Sequence, residues 1–160
     1  DNKIFVEQNI AFAKNIAGDI RAFLDLPEDP PKSDTSKPYM QFLRLDPEKG
    51  FEPKDTMAQA VINMPEGKFQ FGLGVLLETG IDNFPKQVAT FGVACDRNGD
   101  RLIVDILGQT FDVAATHDVP LKLGALCQHV FDDLLQELQW RIGDEVEHTR
   151  IGFDINSLTS

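Results

Sequence analysis

The segment Asp96-Arg97-Asn98-Gly99-Asp100 stands between two stretches that alternate in residue character. An Asn-Gly pair in that setting is the strongest short-range signal for a β-hairpin, because both residues tolerate the positive φ of a tight primed turn. A strand register then sorts side chains onto two faces with a period of two, so this one turn constrains the middle of the chain. With Asn98 and Gly99 as the central pair of a type I′ turn, Cys95 is expected opposite Leu102, Val93 opposite Val104 and Phe91 opposite Ile106. Those six apolar residues share a face. The other face carries Thr90, Gly92 and Ala94 opposite Leu107, Asp105 and Ile103.

The run from Lys68 to Glu78 repeats the pattern. Phe69, Phe71, Leu73, Val75 and Leu77 point one way, and Lys68, Gln70, Gly72, Gly74 and Leu76 the other. Pairing this strand with the next through the 79–85 loop places Gly72 and Gly74 beside Gly92 and Thr90. The sheet is then expected to have a large Phe-rich face, covered by helices, and behind it a shallow notch floored by glycines. Glycine weakens a strand interior, so a cluster of them needs a reason. Close packing or strand curvature is the first reason; a groove for a ligand, with Asp105 as its charged member, is the second.

Around this centre the periodicity changes. Ile10, Ala13, Ala17, Ile20 and Leu24 recur at helical spacing within 5–26, widened by Phe12, Ile16 and Phe23, with Pro27 as the stop. A second helix is expected from an Asp118 cap, through Pro120 in its first turn, to Gly143. Its stripe is Leu123, Cys127, Val130, Leu134 and Leu138, flanked by Leu126, Phe131, Leu135 and Ile142. Residues 27–38 hold four prolines and read as an exposed connector. Strands are expected at Tyr39–Leu45, Met57–Met64, Lys68–Glu78, Lys86–Cys95, Arg101–Leu107 and Gln109–Val113. The polar tail 144–160 carries an alternating Ile151, Phe153 and Ile155, a pattern suited to a sheet edge or a partner chain. The fold class expected is a single α+β domain over 1–160, an antiparallel meander of five to six strands with an N-terminal and a C-terminal helix on one face.

Charge narrows the partners. The formal net charge of −11 opposes contact with phosphate backbones and anionic lipid. No apolar run approaches the roughly 18 residues of a membrane helix. Nucleic acid and membrane are therefore not expected partners, whereas a basic protein is favoured electrostatically. The two cysteines, Cys95 and Cys127, are too few for a disulfide framework or a paired-cysteine zinc site and read as buried thiols. The chain opens at Asp1 rather than Met, which leaves room for an upstream segment. Without a visible signal peptide, a cytoplasmic location is the default expectation.

Motifs for chemistry are weak throughout. Gly72-Leu73-Gly74 lacks the third glycine of a dinucleotide fingerprint and is followed by strand, not helix. His129, Asp132 and Asp133 share a helix face, which reads as a solvated face more readily than a metal site, and Glu145-x-x-His148 is half of a di-metal pattern without its second half. Asp96 and Asp100 lack the rest of a calcium loop. No catalytic residue, metal site or cofactor is expected. The functional expectation is a non-catalytic protein-binding module of the adaptor, chaperone-like or neutralising kind that also self-associates, with Ile151, Phe153 and Ile155 as contact residues. The rival is a small-molecule binder or enzyme using the notch of Gly72, Gly74, Thr90, Gly92 and Asp105.

Overall fold

The structure, a computed structural model, describes residues 2–30, 38–77, 87–115 and 120–149 of the chain, with side chains at 5–30, 38–77, 88–115 and 120–139. Helix α1 spans Asn2–Phe23 and buries Ala13, Ile16, Ala17 and Ile20 at the expected spacing. It ends before Pro27, because Asp25 takes a left-handed conformation with φ of 55°. The Leu26 N–H then donates to the Arg21 carbonyl at 3.1 Å and the Asp25 N–H to that of Ala22 at 3.2 Å. That bond pair is a Schellman closure, which satisfies carbonyls the last turn would otherwise leave open.

Strands follow at Met40–Asp46 (β1) and Gly50–Lys54 (β2). They are joined by a turn in which Asp46 Oδ1 accepts the N–H groups of Glu48 and Lys49. The segment expected as a strand over Met57–Met64 is instead a helical turn, Met57–Ala60 (α2), and a two-residue strand, Ile62–Asn63 (β3). Thr56 caps α2 by accepting the Gln59 N–H, and Met57 and Ala60 plug into the core from it. A local cap and two alanines outweigh the weak alternation there.

The long central strands are Phe69–Leu77 (β4) and Gln87–Asn98 (β5), followed by Arg101–Ile106 (β6) and Gln109–Ala114 (β7). The sheet runs β2-β1-β4-β5-β6-β7, antiparallel throughout, with β3 also on β4. Gly72 pairs with Gly92 and Gly74 with Thr90, as the alternation predicted. The β5–β6 register differs from expectation: Asn98 pairs with Arg101, Cys95 with Val104 and Val93 with Ile106. Gly99 has φ of 60° while Asn98 and Asp100 stay negative, the sign pattern of a type II′ turn, in which glycine comes first. The slip is two residues, so every side chain keeps its face. The positive pair of a type I′ turn appears one hairpin later, at Leu107 (φ 47°) and Gly108 (φ 77°).

Helix α3 spans Gly124–Thr149. Pro120 is not in it: residues 120–123 precede the helix without regular structure and bury Leu121 and Leu123. Asp118 lies outside the described residues. The helix also passes through Gly143, since a single interior glycine costs about 1 kcal/mol and stops a helix only when the backbone turns left-handed after it. Residues 144–149 of the expected polar tail are therefore helical. One core unites α1, α2 and α3 with the Phe-rich sheet face: Phe69, Phe71 and Leu73 on β4, Phe91, Val93 and Cys95 on β5, and Leu102, Val104 and Ile106 on β6. The molecule is an α+β fold, a helical layer on one face of an antiparallel sheet.

Candidate functional site

Two surfaces compete. The first is the sheet face turned away from the helices, where Gly72, Gly74, Thr90, Gly92 and Asp105 all lie. Asp105 pairs across β5–β6 with Ala94, and its carboxylate accepts the Thr110 hydroxyl from β7. Edge strand β2 sends the Phe51 ring over β1 onto the glycines. A Cβ built on Gly72 would meet Phe51 Cδ1 and Cε1 at 2.7 Å, and one on Gly92 would meet Phe51 Cζ at 3.6 Å. A Cβ on Gly74 would meet Gln41 Oε1 and Val88 Cγ1 at 3.3 Å. An aromatic ring thus occupies the glycine floor, the same device that shields strand glycines in designed sheets. Beside it remains a cavity of about 110 Å³ between Leu45, Phe51, Gln70 and Asp105.

The second surface is on the helical layer. A groove of about 350 Å³ opens between the end of α1, the end of β4 and the middle of α3. Leu24, Leu26, Tyr39, Leu77, Phe131 and Leu135 line it, and Asp25 is a charged member of its wall. Phe131 and Leu135 are 39% and 40% exposed, and Phe23 at 43% meets Phe131 edge-on with ring centroids 6.3 Å apart. Sequence periodicity names Phe23, Phe131 and Leu135 as flanks of their helical stripes. What it does not show is that α1 and α3 pack on each other and on the sheet with these flanks left outside.

Other chemistry-bearing groups are absorbed by the fold. Arg97, at the end of β5, lies between the rings of Phe5 and Phe12, 5.1 and 5.0 Å from their centroids. Its Nε and Nη2 both donate to Asn9 Oδ1, and the buried Asn9 amide donates in turn to Asn63 Oδ1 at 3.0 Å. This cluster fastens α1 to the sheet. The His129 Nε2–H donates to the Leu107 carbonyl at 2.9 Å, tying α3 to the β6–β7 turn, while Asp132 accepts from Gln128. Among the described residues no group of three or more His, Cys, Asp or Glu is placed to hold a metal ion. Both cysteines are buried. Burial raises the Cys127 thiol to about 11, with Asp19 adding to it, and pushes Cys95 further still. Ile151, Phe153, Ile155 and His117 lie outside the described residues, as does the side chain of His148.

Among the described residues no helix is long and apolar enough to cross a membrane. The class is an α+β fold, an antiparallel sheet with one helical layer. The chain matches no family model, no curated protein and no solved structure, so any function is argued from its own residues.

Proposed function

We propose that this chain is a non-catalytic protein-binding module and that the groove between α1, β4 and α3 is its contact surface. The observation that carries the reading is the cluster of Phe23, Phe131 and Leu135, three large apolar side chains 39–43% exposed beside a concave apolar surface. Single exposed apolar residues are ordinary, but a contiguous group around a groove is the usual mark of an interaction site. The sheet notch is the second reading. Its cavity of about 110 Å³ is small against the roughly 300–1,000 Å³ typical of ligand pockets, and Phe51 already covers the glycines. A net charge of −11 opposes bringing two copies together, so a different, less acidic protein suits the groove better than a second copy of this chain.

The test is native mass spectrometry of the tagged protein recovered from its host, beside a Phe131→Gln variant of equal thermal stability. The reading expects a stoichiometric protein partner on the wild type and none on the variant. A small-molecule mass on both, with no protein partner, would contradict it.

A further inference from the structure

The groove also has a charge pattern and a backbone constraint, and together they define what can occupy it. Asp25 lines one wall, and Glu28 and Asp29 are exposed on the chain leaving that wall. On α3, Asp132 is exposed one position after Phe131, which lines the other wall. Among the described side chains the nearest cation along α1 is Arg21, whose Nε is buried. Among the described residues, the carboxylates at and beside the groove are thus Asp25, Glu28, Asp29 and Asp132, around an apolar floor, in a chain whose net charge is −11.

The backbone constraint comes from β4. The strand reaching the groove is paired on both sides, Val75 with Met40 of β1 and with Ala89 of β5. The Leu76 N–H is also taken, by the Tyr39 carbonyl at 2.9 Å. β4 thus offers no free edge here for strand addition, and a helix, which satisfies its own N–H and C=O groups, suits the groove.

We propose that the groove takes an amphipathic helix from a basic partner, with an apolar stripe seated against Phe131, Leu135, Leu24 and Leu26, and with Lys or Arg on its flanks facing Asp25 and Asp132. This rests on the groove being the binding surface. The apolar stripe supplies most of the affinity. The carboxylates set orientation, association rate and discrimination against acidic helices.

Three synthetic helical peptides separate the parts of this claim by fluorescence anisotropy: a leucine stripe flanked by lysines, the same stripe flanked by glutamates, and the lysine peptide with serines in the stripe. The lysine–leucine peptide is expected to bind at least ten-fold tighter than the glutamate–leucine peptide, with the ratio shrinking in salt as charges are screened. The lysine–serine peptide is expected not to bind. Phe131→Gln, which leaves the charge unchanged, is expected to weaken both leucine peptides. The isosteric pair Asp25→Asn and Asp132→Asn is expected to narrow the ratio between them. Equal binding of the two leucine peptides, both lost with Phe131→Gln, would overturn the basic-helix inference and leave the groove reading standing. Equal binding of the lysine–serine and lysine–leucine peptides would overturn the inference as diffuse charge attraction. Binding of the leucine peptides unaltered by Phe131→Gln would overturn the groove reading itself.

Discussion

At Gly72 the meaning of the glycine-rich strands is decided by a distance. A side chain there would sit 2.7 Å from the Phe51 ring and 3.0 Å from Leu43 Cβ, whereas at Gly92 the nearest atom is at 3.6 Å, an ordinary contact. The two glycines face each other in one register yet do different jobs. Gly72→Ala is therefore expected to destabilise the fold by about 1–3 kcal/mol through overpacking. Gly92→Ala is expected to be neutral or to stabilise by up to about 1 kcal/mol, because alanine narrows the unfolded ensemble. Urea denaturation of both variants checks this, and Phe51→Ala should relieve the Gly72→Ala penalty in a double-mutant cycle. Similar costs at both glycines would mean that the ring is not what the strand makes room for. The alternation of Phe69, Phe71, Leu73, Val75 and Leu77 was enough to place Gly72 beside Gly92. The ring above them was not legible, because Phe51 comes from a strand the pattern did not reveal.

Element boundaries follow local chemistry more closely than periodicity. Helix α1 stops at a left-handed aspartate, not at Pro27. An L-residue in that conformation is strained, and a carboxylate at a helix C-terminus also opposes the macrodipole. Asp25→Gly is thus expected to raise stability by about 1 kcal/mol, seen as a higher urea midpoint with an unchanged m-value. A lower midpoint would show that the Asp25 side chain makes a stabilising contact at that end. The same logic explains what could and could not be read from sequence. The stripes of α1 and α3 and the strands β4 to β6 announce themselves because many residues repeat one period. Strand β2 is only Gly50–Lys54 with Pro53 inside it, too short and too polar to alternate. Its signal was the turn before it, Asp46-Pro47-Glu48-Lys49-Gly50, where an aspartate that accepts backbone N–H groups and a glycine with φ of 78° bracket a hairpin. At 98–99 the Asn-Gly pair gave the right hairpin and faces but the wrong phase, since Gly99 can lead a type II′ turn as readily as it can follow in a type I′ turn.

For the whole molecule, one core lies between the helical layer and the Phe-rich sheet face, and both thiols are inside it. Their raised pKa values link folding to alkaline pH. The unfolded thiols ionise near their ordinary value of about 8.5, while the folded ones, Cys127 at about 11, stay protonated. The unfolded state then binds fewer protons, so stability falls as pH rises above about 8.5 and is unaffected by the thiols below it. Melting temperatures between pH 7 and pH 10 should decline less steeply for a Cys95→Ala/Cys127→Ala variant than for the wild type; parallel curves would contradict the buried-thiol account. The candidate site belongs to this scale too. Phe23, Phe131 and Leu135 can be named from sequence, but only the packing of α1 on α3 leaves them outside, and that packing depends on the whole sheet beneath. The most direct test of the groove as the working surface is site-specific photo-crosslinking in the native host, with a benzophenone side chain at position 135 in one variant and at position 90 on the sheet face turned away from the helices in another. The account predicts that position 135 yields a defined protein adduct and position 90 does not. An adduct from position 90 alone would contradict it and move function to the sheet.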